Sequence, residues 1–209
     1  MNMLSSSPAV MPLVTTKRFT LDEYHRLIEL GFLKEDDQIE LIRGELVQMV
    51  AKGTRHSVSN TKLLRALDRL IGDKAVVRGQ EPIILSANSE PEPDVVIARG
   101  QPDDYLSNHP YPADILFVIE VSDSTLNYDQ TAKLSLYAEY QIQEYWIVNL
   151  IANQLERYSQ AYQDSQGNFG YRTKQISLRN ETVTLPIFSD LSIDLNLVFP
   201  GSWIDIAKN

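Results

Sequence analysis

Two carboxylates at the ends of strand-like segments are the residues of this chain best suited to chemistry. Asp94 follows Pro93 and opens a short apolar run, Val95 to Ala98, whereas Glu120 comes near the end of the longer run "ILFVIEVS". Neighbouring strands of a sheet lie about 4.8 Å apart, so pairing of these two runs would bring both carboxylates to one point. Facing carboxylates repel each other unless a proton or a cation intervenes. Oxygen ligands of this kind predict a Mg²⁺ or Mn²⁺ site.

A further acid and a lysine follow Glu120 in the next predicted helix. Asp129 and Lys133 are four residues apart, a spacing that places them on one helix face. A lysine directed at a metal site could hold an attacking water or stabilise charge that develops on a phosphate. Each of these signals also has a purely structural interpretation. Asp129 and Lys133 could form an exposed helix ion pair that contributes about 0.3–0.5 kcal/mol to stability. Asp94 could be a turn residue and Glu120 a solvated acid at a strand end.

The composition is that of an ordinary globular protein. The chain has 209 residues, of which 43% are hydrophobic and 22% charged, and its length suits one domain. It has no cysteine, which excludes disulfides, thiolate zinc sites and cysteine nucleophiles and favours the cytoplasm. Neither a signal peptide nor a membrane-spanning helix is expected. We expect residues 1–18 to form a flexible lead-in and residues 19–209 to form a single domain.

The net charge and the absence of several common catalytic motifs argue against several classes of protein. A formal net charge of −9 disfavours a general nucleic-acid coating protein, although an enzyme with a local basic patch fits it. The chain has no phosphate-binding loop, no H-E-x-x-H motif and no G-x-S-x-G motif. Its histidines, His25, His56 and His109, are too few and too scattered for a histidine-rich metal site.

The order of predicted elements indicates an α/β or α+β fold around one mixed central sheet. Thr20 and Glu23 form a capping box at the start of a first helix, and Arg43-Gly44 marks the turn of an N-terminal hairpin. Asn127 is the predicted N-cap of the helix that carries Lys133. The central segments, in chain order, are a helix "HSVSNTKLLRALDRLIG", strands "AVVRGQEPIIL", "DVVIA" and "ILFVIEVS", a helix "NYDQTAKLSLYAEYQ" and a strand "EYWIVNL", followed by a strand-rich C-terminal third.

Taken in this order, the motifs resemble the Uma2 family of restriction-endonuclease-like proteins, which is abundant in cyanobacteria and belongs to the PD-(D/E)XK nuclease superfamily. The resemblance covers residues 19–199. The superfamily fold has a helix, three strands, a helix and a strand around a mixed sheet, the same order that the segments predict. The resemblance implies Mg²⁺-dependent (or Mn²⁺-dependent) hydrolysis of phosphodiester bonds in DNA. The segments that carry it are "IELIRGELVQM", His56, "PDVVIA", "FVIEVSDST", "YDQTAKLSLYAEY", "EYWIVNL" and "FSDLSIDLNLVF".

The resemblance also assigns roles to individual residues. Asp94, with Pro93, matches the "PD" element, and Glu120 matches the acid of the (D/E)XK element. Ser122 stands where the motif has its lysine, and the resemblance implies that Lys133 supplies this group from the following helix. In the resulting hypothesis Asp94 and Glu120 bind the metal, Lys133 positions the water or counters negative charge, and Asp129 orients Lys133.

Further ligands and a DNA-binding rim complete the hypothesis. Glu40 would be the extra acid, acting through water, and Glu45 is a less suitable substitute for it. The backbone carbonyl of Val121 would add a metal ligand. Basic residues upstream could contact the DNA backbone, or could belong to an ordinary solvated face. These candidate DNA-binding residues are Arg43, Lys52, Arg55, His56, Lys62 and Arg65.

Two other functions fit the same residues. A non-catalytic DNA- or protein-binding module that keeps the nuclease fold is favoured by the net charge of −9 and by Ser122. A metal-dependent hydrolase of a small phosphorylated substrate would have a closed pocket without a basic groove. For the nuclease, we expect DNA as the partner and a homodimer as the assembly, because cleavage of a duplex needs two cuts.

Overall fold

The computed structural model describes residues 15–34 and 37–201, so most of the predicted lead-in, residues 1–18, lies outside the described residues. Within these ranges the helices are α1 (Leu21–Glu29), α2 (Thr54–Ile71), α3 (Leu126–Tyr128) and α4 (Leu134–Glu139). The strands are β1 (Ile39–Ile42), β2 (Glu45–Gln48), β3 (Val76–Gly79), β4 (Val95–Ala98), β5 (Ile115–Ser122), β6 (Glu144–Asn149), β7 (Gln154–Gln163), β8 (Phe169–Leu178), β9 (Thr182–Thr184) and β10 (Ser192–Asp194).

A mixed sheet of six strands lies at the centre of the described residues, in the order β3-β4-β5-β6-β7-β8. Strands β5 and β6 are parallel, and the other neighbours are antiparallel. A parallel pair needs a crossover connection, which α3 and α4 provide here. Two small antiparallel sheets, β1-β2 and β9-β10, lie beside the central one. The predicted mixed α+β architecture is confirmed.

The central strands are covered on both faces. Every residue of β4 and of β5 is buried, as their continuous apolar sequences predict. On one face Leu63, Leu67 and Ile71 of α2 join the core. On the other face Leu136 and Tyr137 of α4 belong to a second core cluster. This second face is the one on which Glu120 projects, because side chains alternate along a strand.

The predicted capping box and the predicted hairpin turn of the N-terminal region are both confirmed. The Thr20 side chain accepts a hydrogen bond from the backbone of Glu23, and the Glu23 carboxylate accepts one from the backbone of Thr20. Arg43 and Gly44 form the hairpin turn with φ angles of 49° and 78°, the positive values that a type I′ turn requires. None of the described helices is sufficiently long and apolar to cross a bilayer.

The helical segment after β5 differs from its prediction. It begins at Leu126, one residue before the predicted cap Asn127, and Thr125 occupies the cap position. The segment is also not a continuous α-helix, because a π-helical turn, Asp129–Lys133, separates α3 from α4. Single π turns of this kind are rare and are frequently found at functional sites.

Candidate active site

The pairing of β4 with β5 brings Asp94 and Glu120 together. Val95 is opposite Ile119 in the antiparallel register, so the residue before β4 faces the end of β5. The backbone N–H of Asp94 donates a hydrogen bond to Glu120 Oε2 at 3.2 Å. In return, the N–H of Val121 donates to Asp94 Oδ2 at 2.9 Å. Each carboxylate is therefore held by the backbone beside the other, at one end of the sheet.

Lys133 reaches back from the helical segment to the same point. Its Nζ donates hydrogen bonds to Glu120 Oε1 at 2.9 Å and to Glu40 Oε1 at 3.2 Å. Tyr137 also donates to Glu120 Oε1, at 2.8 Å. The Lys133 side chain is only 2% exposed. The ammonium thus joins three separate elements, namely β1, β5 and the segment that contains the π turn.

Asp129 is held by hydroxyl groups. Its Oδ2 accepts hydrogen bonds from Ser122 Oγ and from Thr125 Oγ1, both at 2.7 Å. The sequence predicts an α-helical pairing of Asp129 with Lys133, but the π turn changes that spacing and the carboxylate hydrogen-bonds the hydroxyls instead. Ser122, at the position where the motif predicted from the sequence has its lysine, therefore ties the π turn to the end of β5.

Three polar side chains contact the carboxylate of Asp94. His56, in the first turn of α2, has Nε2 2.9 Å from Asp94 Oδ2, while its Nδ1 is buried and has no hydrogen-bond partner among the described residues. Gln80 donates to Asp94 Oδ1 at 3.3 Å. Lys52, in the loop between β2 and α2, has Nζ 3.6 Å from the same Oδ1.

The electrostatics of the site follow from burial and from crowding of charges. Burial raises the pKa of Glu120 to about 8; Lys133 opposes this rise, and Asp94 adds to it. Burial would lower the pKa of Lys133, but Glu120 and Glu40 raise it well above its ordinary value, so the ammonium stays charged. Burial likewise raises the pKa of Asp129. Burial also acts to raise the pKa of Asp94, but His56, the backbone N–H of Val121 and Lys52 together outweigh it and lower that pKa.

These side chains line a cavity of about 470 Å³. Its wall carries six acidic side chains and only two lysines, and Oε2 of the buried Glu40 has no hydrogen-bond partner among the described residues. An excess of buried carboxylate oxygens fits a hard divalent cation, which one or two carboxylates plus water are sufficient to hold. Among the described residues there is no group of three or more His, Cys, Asp or Glu side chains arranged to hold a metal ion. The charged wall residues are Glu40, Lys52, Glu92, Asp94, Glu120, Asp123, Asp129 and Lys133.

The residues predicted to bind DNA separate into two groups. Lys52 and His56 line the cavity, whereas the other four are not part of its wall. Arg43 forms an ion pair with Glu139 at 2.7 Å. Arg55 donates to the carbonyl of Leu150, and Lys62 donates to the carbonyl of Phe199. Arg65 is on α2 as well.

Sequence reasoning missed some residues of the site. Tyr137 is not among the predicted site residues, although its position four residues after Lys133 indicates a shared helix face. Glu92 lines the cavity, and its place two residues before Asp94 was a usable signal. Glu45, the substitute for Glu40, instead pairs with Arg18 at 2.6 Å on the surface.

The fold is a mixed sheet with a helical crossover, and acids and a lysine lie together at one end of this sheet. This combination defines a nuclease-like α+β protein. The model of the Uma2 family, described as "Putative restriction endonuclease", matches residues 21–196, and the chain belongs to this family. No curated protein matches its sequence.

One solved structure supports the fold. The chain is similar to a putative nuclease of the DUF820 family from Anabaena variabilis ATCC 29413, with a TM-score of 0.63 and 15% identity over 87% of this chain and 97% of that one. The type IIG restriction endonuclease BpuSI also matches, with a TM-score of 0.36 and 15% identity over 73% of this chain and 14% of that one.

Proposed function

We propose that this protein is a divalent-cation-dependent nuclease that hydrolyses phosphodiester bonds in DNA. The observation that carries the proposal is the reciprocal hydrogen bonding of Asp94 and Glu120, with Lys133 Nζ 2.9 Å from Glu120, at the wall of one cavity. Membership of a family described as "Putative restriction endonuclease" supports DNA as the substrate.

The donor set suits Mg²⁺ or Mn²⁺. Asp94, Glu120 and the backbone carbonyl of Val121 would hold the cation, and Glu40 would act through water. When bound, such a cation neutralises charge on a phosphate and lowers the pKa of a bound water.

The protein groups then have distinct tasks. Lys133 remains charged, and its fixed Nζ can stabilise negative charge on the phosphate or orient the attacking water. Tyr137 and Lys133 together fix the orientation of the Glu120 carboxylate through Oε1. Asp129 has no direct hydrogen bond to Lys133; it anchors the π turn through Ser122 and thereby sets the direction from which Lys133 approaches. His56 fixes Asp94 through Oδ2.

A cleavage assay with matched variants tests the proposal. Supercoiled plasmid and DNA oligonucleotides are incubated with Mg²⁺, with Mn²⁺ and with a chelator. We expect cation-dependent cleavage by the wild type and a loss of about 100-fold or more in Asp94→Asn, Glu120→Gln and Lys133→Met, since each removes a proposed metal ligand or the ammonium of the site. Asp190→Asn is the control, because Asp190 is an exposed acid that pairs with Lys74 on the surface.

The products and the controls decide the outcome. Linear product formed without a nicked intermediate would support two coordinated cuts and hence the proposed homodimer. Cleavage that survives in Glu120→Gln, or that ignores the chelator, would refute the assigned site. Metal binding and the urea midpoint are measured for every variant, so that loss of folding is distinguished from loss of chemistry.

A non-catalytic binding module is the second candidate. Two observations favour it: the missing group of three metal-ligating side chains among the described residues, and the net charge of −9. This candidate predicts that the folded wild type binds DNA or protein, cleaves no DNA with either cation, and binds no Mn²⁺ through Asp94.

A further inference from the structure

The two lysines of the cavity are held very differently. Lys133 is 2% exposed and makes hydrogen bonds of 2.9 and 3.2 Å to two carboxylates. Lys52 is 37% exposed, and its Nζ lies 3.6 Å from Asp94 Oδ1, which is longer than a direct hydrogen bond. Lys52 also comes from the loop between β2 and α2, whereas Lys133 comes from a packed helical segment. Lys52 is therefore the cation of this cavity that can leave its partner.

The two carboxylate oxygens of Asp94 also differ in how firmly they are held. Oδ2 is fixed by Val121 N and by His56 Nε2, each at 2.9 Å. Oδ1 has only the longer contacts, 3.3 Å to Gln80 Nε2 and 3.6 Å to Lys52 Nζ. Oδ1 is consequently the oxygen that can accept an incoming cation, and Lys52 is the charged group that such a cation would meet.

We propose that Lys52 is an exchangeable counter-ion of Asp94. It pairs with Oδ1 while no divalent cation is bound, and it pairs with a DNA phosphate once a divalent cation takes that oxygen. The flexible four-carbon stem of lysine permits this movement, and repulsion between two cations at one oxygen drives it. The inference rests on the proposed function, and it adds a substrate-contacting residue whose contact depends on metal binding.

In one variant, Lys52→Met, metal binding is expected to tighten and DNA binding is expected to weaken. Lys52→Met keeps most of the length of the unbranched side chain and removes its charge. Mn²⁺ binding without DNA, followed by electron paramagnetic resonance, is expected to tighten about two- to fivefold, since a partly exposed competing ion pair is lost. Binding of a short labelled DNA duplex in Ca²⁺, followed by fluorescence anisotropy, is expected to weaken about three- to tenfold. The dependence of the binding constant on salt concentration should also become shallower, by the equivalent of about one phosphate contact.

Lys74→Met is the matched control. It removes the same charge at the far end of α2, where Lys74 pairs with Asp190 on the surface, and it is expected to change neither measurement by more than about 1.5-fold. A Lys52→Met protein that binds Mn²⁺ no more tightly than Lys74→Met, or that keeps wild-type DNA affinity, would overturn the inference alone. A wild type that binds no Mn²⁺, or an Asp94→Asn protein that binds it unchanged, would overturn the proposed metal site and this inference with it.

Discussion

The buried carboxylate of Glu156 connects the second half of the sheet to the segment that carries Lys133. Its side chain is 2% exposed. Because the carboxylate accepts hydrogen bonds from two sheet strands, from the end of β6 and from the π turn, it holds these elements in register. The donors are Gln130, Asn149, Gln154, Tyr158 and Lys174, at distances between 2.7 and 3.2 Å.

These donors make the charged form of Glu156 stabilising. Burial raises its pKa, but hydrogen bonds from Lys174 and from the neutral donors outweigh burial and lower the pKa from 4.5 to about 2. At about 1.4 kcal/mol per pKa unit, this difference corresponds to about 3 kcal/mol of folding free energy. Lys174 is 43% exposed, so water screens its share and we expect about 2–3 kcal/mol. Because the folded pKa is the lower one, the stabilisation is complete above about pH 5 and is lost as pH falls towards 2.

Urea unfolding of the wild type and of Glu156→Gln across a pH series measures this contribution. The free energy of unfolding of the wild type should exceed that of the variant at pH 7, and this advantage should shrink by about 1.5–2 kcal/mol by pH 3. The difference between the two proteins cancels the titration of the other carboxylates. Glu45→Gln, at an exposed acid, serves as the control and should show no such trend. A constant difference between wild type and Glu156→Gln from pH 7 to pH 3 would refute the reasoning.

Two further predictions concern the site itself. Lys133→Met should lower the free energy of unfolding by about 3–5 kcal/mol, because it leaves the carboxyl groups of Glu40 and Glu120 buried without the ammonium that bonds both. In a double-mutant cycle Glu40→Gln should recover part of this loss, and strict additivity would contradict the shared interaction. Ser122→Ala removes one of the two hydroxyl donors of Asp129 and should cost about 1–3 kcal/mol; a urea midpoint equal to that of the wild type would show that Ser122 does not anchor the π turn.

Much of the fold could be predicted because its signals are local. The apolar runs of β4 and β5 reflect burial on both faces, and the capping box of Thr20 needs only residues three apart. The meeting of Asp94 and Glu120 could also be predicted, since it requires only that two successive strands pair.

The π turn could not be predicted, because non-local contacts stabilise it. Tyr145 of β6 donates a hydrogen bond to the carbonyl of Asp129 at 3.1 Å, and Ser122 of β5 holds the carboxylate of the same residue. Helical periodicity contains neither contact. The same limit applies to the basic residues: Arg43 pairs with Glu139, 96 positions away, which no local pattern could indicate.

The positions of Ser122 and Lys133 are structurally linked. Residues 120 and 122 of a strand project on the same face, so a lysine at 122 would extend alongside Glu120 into the space beneath the helical segment. Ser122 is fully buried, and its short side chain lets Asp129 approach to 2.7 Å. This close approach brings the π turn down onto the end of β5, and from there Lys133 Nζ reaches Glu120. A lysine at position 122 would displace the turn that delivers Lys133, so the small residue on the strand and the lysine on the helix depend on each other.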